Sequence, residues 1–92
     1  MYQPVYAKQF RKDIKRIQKS GNKDIGKLKA VIRHLVDGRQ LDPSCRDHNL
    51  RGNFMDRREC HIEPDWLLVY KLSKKEKTIV FERTGSHADI FE

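Results

Sequence analysis

Three of the four histidines, His48, His61 and His87, fall in the C-terminal half of this chain, where Asp65 and Arg83 also lie. Imidazole is the side chain that gives and takes protons near neutral pH. Cutting a ribose phosphodiester without a metal needs three things. The 2′-hydroxyl must lose a proton, the departing 5′-oxygen must gain one, and the charged phosphorane must be stabilised. Histidine supplies either proton step, each positioned group contributing roughly 10²–10⁴-fold. Arginine supplies a bidentate clamp on the phosphate, and the candidates are Arg83, Arg51 and Arg58. Asp65 follows His61 across Pro64, close enough to orient an imidazole. Phe91, Trp66 and Phe54 can stack on splayed bases. Taken singly, each residue also has a plainer use: a surface histidine, a core aromatic at Trp66 or Phe54, or an Arg83 paired with Glu82 or Asp89. His34 lies in a region explained by packing and charge and is set aside. His48, His61, Asp65 and His87 are acceptable zinc ligands, but their spacing matches no compact metal motif, so neither metal nor cofactor is expected.

These groups must be carried by a sheet. Tyr2–Tyr6 contains Pro4 and alternating β-formers, which suits an edge strand. From Ala7 to Ser20, Phe10, Ile14 and Ile17 recur at helical spacing, with Lys8, Arg11, Lys12, Lys15, Arg16 and Lys19 between them. Gly21 stops that helix, and Asn22 is positioned to cap the next. The second helix runs over Lys23–Val36, with Ile25, Leu28, Ile32 and Leu35 on one stripe and Gly38 at its end. The short link makes an antiparallel helical hairpin. A loop over Arg39–Asp47 precedes four predicted strands, His48–Phe54, Arg57–Glu63, Trp66–Leu72 and Lys77–Arg83. Turn-forming residues separate them, so consecutive strands run antiparallel. Ser86–Phe91 reads as one helical turn capped by Ser86. The expected class is α+β: an N-terminal edge strand and a helical hairpin on one face of a four- to five-stranded antiparallel sheet. In Trp66–Tyr70 one parity should face the helices, leaving the other for a second cluster or a concave surface.

The chain has 92 residues, which suits a single domain over 1–92 with one thin core. No apolar run reaches membrane-spanning length and the N-terminus lacks the pattern of a signal peptide, so no membrane partner and a cytoplasmic location are expected. Cys45 and Cys60 have no CxxC spacing and read as reduced thiols. The net charge is +7, and it is uneven: residues 1–40 hold eleven basic and three acidic groups, residues 41–92 nine and ten. Such a basic half, with Lys8, Lys12 and Lys15 among the candidate contacts, favours RNA, DNA or an acidic protein partner alike, and it is equally compatible with a solvated helix face.

More specific are three motifs. Asp47-His48-Asn49-Leu50-Arg51-Gly52 is followed by His61-Ile62-Glu63-Pro64-Asp65-Trp66-Leu67-Leu68-Val69-Tyr70-Lys71, and then by Arg83-Thr84-Gly85-Ser86-His87-Ala88-Asp89-Ile90-Phe91. In this order and at these spacings the chain resembles the YafQ branch of the RelE/ParE toxin superfamily. The resemblance implies a microbial RNase-like fold and a type II toxin that cleaves mRNA in the ribosomal A site. It also implies silencing by a cognate RelB/DinJ-like antitoxin, with DNA met only through that antitoxin complex. By this resemblance His48, His61, Asp65, Arg83, His87 and Phe91 form the active site. His87 would be general acid or base, His48 or His61 would supply the complementary step, and Asp65 would hold an imidazole in its useful tautomer. Arg83 would stabilise the phosphorane, and Phe91 would pack beside the scissile nucleotide. The wider RelE family often uses Lys, Arg and Tyr instead of histidines, so the histidine-bearing branch is the relevant one. The alternative is a non-catalytic module that binds the ribosome or the antitoxin.

Overall fold

The computed structural model describes residues 1–54 and 56–91. Strand β1 (Gln3–Tyr6) leads into α1 (Lys8–Ser20) and α2 (Ile25–Val36). These are followed by the short β2 (His48–Asn49), then β3 (Arg58–Glu63), β4 (Trp66–Ser73), β5 (Thr78–Gly85) and α3 (His87–Phe91). Gly21 ends α1 in a left-handed conformation, its N–H on the Ile17 carbonyl. The cap of α2 is Asp24, which accepts from Gly26 N at 2.9 Å, and not Asn22, which instead accepts from Ser20 Oγ. Asp24 directly precedes the first helical residue, where an acceptor reaches the unpaired N–H groups.

The five strands lie in the order β1-β5-β4-β3-β2. The meander β2 to β5 is antiparallel as expected, but β1 pairs parallel to β5, from Gln3 beside Thr78 to Tyr6 beside Phe81. The sheet is therefore mixed. The chain between β1 and β5, which runs through both helices and strands β2 to β4, gives the long connection that a parallel pairing needs. The predicted strand over His48–Phe54 shrinks to two residues, and a 3-10 turn at Gly52–Phe54 takes the end of that stretch. Gly52 and Asn53 are turn formers, and they prevail over β-propensity there.

Both faces of the sheet are covered, unequally. Trp66, Leu68 and Tyr70 pack with Cys60, Ile79 and Phe81 against Phe10 and Ile17 of α1 and Leu28 and Leu35 of α2. The alternate residues Leu67 and Val69 point the other way, into a small cluster with Ile90 of α3 and Leu50. That explains why Trp66–Tyr70 is an unbroken apolar run: both parities are buried. The second face is only partly roofed by the five-residue α3, and its open remainder carries the polar chemistry. Both cysteines are free thiols.

Candidate active site

Because strand side chains alternate, Glu59 and His61 of β3 share the face of Leu67 and Val69, with His48 opposite Glu59 across the β2–β3 register. Glu59 is 5% exposed and places Oε2 3.3 Å from His48 Nε2 and 3.6 Å from His61 Nε2. Each imidazole is anchored through its other nitrogen, His48 Nδ1 at 2.6 Å from the Arg46 carbonyl and His61 Nδ1 at 3.2 Å from the Pro64 carbonyl. A carbonyl only accepts, so both Nδ1 atoms carry hydrogen and both Nε2 atoms turn to the same carboxylate. Glu59 thus pairs with whichever imidazole holds a second proton.

His87 enters from α3. Its Nδ1 and its backbone N–H both donate to Asp65 Oδ1, at 3.1 and 3.2 Å, which leaves Nε2 for a substrate. These bonds hold the Asp65 carboxyl below its usual range. Asp65 therefore orients His87 and not its nearer sequence neighbour His61. The His61 and His87 rings lie 6.0 Å apart between centroids, tilted by 54°. Two imidazoles so placed can serve opposite sides of one scissile phosphate.

A capping box fixes α3. Ser86 Oγ accepts from Asp89 N at 3.1 Å and Asp89 Oδ2 accepts from Ser86 N at 3.0 Å. One turn beyond His87, Phe91 is 38% exposed, its ring 6.2 Å from the imidazole and edge-on to Phe54 at 5.1 Å. Arg83 of β5 completes the set, held neither by Glu82 nor by the Asp89 side chain. It donates to Asp13 of α1 and to the Asp89 carbonyl, while Glu82 pairs with Arg57.

All six expected site residues, His48, His61, Asp65, Arg83, His87 and Phe91, lie on the α3 side of the sheet or at its rim. The proposed RNA contacts divide. Lys8, Lys12 and Lys15 are exposed on the α1 surface turned away from the sheet, and Arg51 is exposed in the loop after β2. Trp66 is not a base platform. It is fully buried on the helix side, and its indole N–H donates to Thr84 Oγ1 at 3.0 Å. Arg58 is also out of place for RNA. It has the parity of Cys60, on the opposite face, and it is tied to Asp47 and Asn49. Tyr70 donates to the same Asp47 at 2.6 Å. This knot fastens β2, with its His48, to the sheet. Glu59 and Asp13 were missed from the sequence. Two-residue spacing from His61 was the signal for the first, and a charge inside the apolar stripe of α1 for the second.

Residues 2–92 match the family described as "Bacterial toxin of type II toxin-antitoxin system, YafQ". The chain belongs to the YafQ toxin family. Within it, the mRNA interferase toxin YafQ of Escherichia coli K12 is 42% identical over 87 residues, covering 94% of this chain and 91% of the relative. The YafQ fold is equally close in space. The toxin in the E. coli DinJ–YafQ complex superposes with a TM-score of 0.90 at 40% identity, over the whole of both chains. A metal-bound toxin from Helicobacter pylori gives 0.89 at 40% identity, over 99% of this chain and 100% of that one. In this YafQ-family chain no group of three or more His, Cys, Asp and Glu side chains is disposed to hold a metal ion among the described residues.

Proposed function

We propose that this chain is a type II toxin that cleaves mRNA on the ribosome by acid–base catalysis. The observation that carries the reading is the placement of His61 and His87 across a 6.0 Å gap, each anchored through Nδ1, with His87 Nε2 left for the reaction and His61 Nε2 backed by Glu59 at 3.6 Å. His87 exchanges a proton with one side of the scissile phosphate. His61 or His48, backed by Glu59, serves the other. Arg83 meets the charge of the phosphorane and Phe91 packs beside the nucleotide. The products would be a 2′,3′-cyclic phosphate or 3′-phosphate and a 5′-hydroxyl. The mRNA interferase name of the E. coli relative supports the substrate, and its solved complex with DinJ supports a DinJ-like antitoxin as partner.

A reconstituted translation system tests this directly. Message should be cut in the presence of ribosomes, with 5′-hydroxyl ends, at a rate indifferent to a zinc-selective chelator at constant magnesium. Growth arrest on induction should be relieved by the product of an adjacent short acidic gene. Ribosome binding without any new RNA ends would favour the non-catalytic module, and loss of cleavage in the zinc-selective chelator at constant magnesium would bring a metal into the mechanism.

A further inference from the structure

Asp13 stands where an amphipathic helix should be apolar. It lies among Phe10, Ile14 and Ile17 on the side of α1 turned to the sheet, and it is fully buried. A buried carboxylate is costly unless it is paired and hydrogen-bonded, and an apolar residue there would serve stability as well. Its oxygens are richly served. Oδ2 accepts from Arg83 Nε at 2.8 Å and from Thr84 N at 3.1 Å, while Oδ1 accepts from Arg83 Nη2 at 3.3 Å and Gln9 Nε2 at 3.5 Å. Arg16 Nη1 lies 3.3 Å from Oδ1.

The register explains why a helix reaches here. Strand β1 accompanies β5 only from Thr78 to Phe81, so among the described residues the outer edge of β5 beyond Phe81 has no strand neighbour. Asp13 takes the acceptor role of the missing strand at Thr84 and grips Arg83 in the same stroke. With Nη2 also on the Asp89 carbonyl at 3.1 Å, both Nε and Nη2 of the planar guanidinium are held. Arg16 extends the grip, with Nη2 3.6 Å from Asp89 Oδ2. That pair passes over Gly85, where an added Cβ would lie 3.0 Å from Arg16 Nη2, Asp89 Cβ and Asp89 Oδ2. Helix α1 thereby fixes both the arginine and the start of α3, which bears His87 and Phe91.

We propose that Asp13 is a positioning residue for RNA cleavage. It holds the Arg83 guanidinium in one orientation before substrate arrives and, with Arg16, sets its place relative to His87. The inference rests on the ribonuclease reading, and its test includes a readout that does not.

Asp13→Asn keeps the volume and removes the charge. Under single-turnover conditions with toxin in excess, its maximal cleavage rate should fall about 10- to 100-fold, the scale of a misplaced catalytic group. The toxin concentration giving half that rate should change less than about threefold. In an Arg83→Gln background the same substitution should cost less than about twofold, because its effect passes through the arginine. Equal losses in both backgrounds would reduce Asp13 to a structural residue and overturn the proposal. Independently of activity, the Arg83 Nε–H should give a protected NMR resonance that vanishes in Asp13→Asn, and its persistence would also overturn it. If the wild-type chain cut no RNA, the functional reading would fail, while this resonance would still decide whether Asp13 fixes Arg83. Should Asp13→Asn not fold, Arg16→Gln, whose side chain is 47% exposed, should show the same dependence on Arg83.

Discussion

His87 keeps Nε2 available because Asp65 occupies Nδ1, and that single bond defines what substitutions at either residue should do. His87→Gln retains a polar side chain on an exposed helical turn but cannot move a proton. Cleavage should fall by roughly 10²–10⁴-fold with the melting temperature unchanged, and full activity in that variant would remove His87 from the reaction. Glu59→Gln keeps the shape but withdraws the charge shared by His48 and His61. A loss of about tenfold is expected, the equivalent of one charged hydrogen bond of about 1.5 kcal/mol, and no loss would make Glu59 a bystander. The Asp65 tie also has a defined pH range. Its folded carboxyl titrates below the ordinary 3.8 through its bonds to His87. The tie therefore contributes fully above that value and is lost as pH falls from it through the lower folded one. The Asp65 side-chain carboxyl carbon resonance should report a midpoint below 3.8, and a midpoint at or above it would mean that the pair does not form.

Strand β4 shows at the level of an element what could be read beforehand and what could not. Its apolar run made it a central strand, and its two parities do face different clusters. Nothing in that run says which parity meets the helices, so Trp66 remained open as a base platform until the register placed it with Leu68 and Tyr70. Trp66→Ala should accordingly cost roughly 3–5 kcal/mol of folding stability, a large share of the roughly 5–15 kcal/mol available to a domain. Chemical denaturation would measure this, and a stable variant with weakened RNA binding would reverse the assignment. Parity likewise removed Arg58 from the site and brought in Glu59. The histidines were legible because their motifs are local in the chain. Asp13 and Arg83 are 70 residues apart, and no local spacing announces their contact. The parallel pairing of β1 was hidden for the same reason, since strand alternation sets a face and not a neighbour.

Across the whole molecule the charge and the chemistry are separated. Lys8, Lys12 and Lys15 project from α1 away from the sheet, whereas the imidazoles lie on the sheet's opposite face, so one short RNA strand in the site would not run along the lysines as well. A larger polyanion can meet both, and the ribosome, where the substrate would be presented, is such a surface. Changing all three lysines to Gln should then leave the maximal cleavage rate unaltered and weaken ribosome binding. Because each neutralised phosphate contributes about 0.7–0.9 to the slope of log affinity against log salt, that slope should become shallower by roughly two to three. An unchanged slope would mean that the stripe is only a solvated helix face, and a fall in the maximal rate would place the lysines at the substrate itself. The distinction matters for inhibition. An antitoxin covering α1 would block delivery to the ribosome and leave the imidazole face exposed, so cleavage of naked RNA, if the toxin supports it, should persist in that complex.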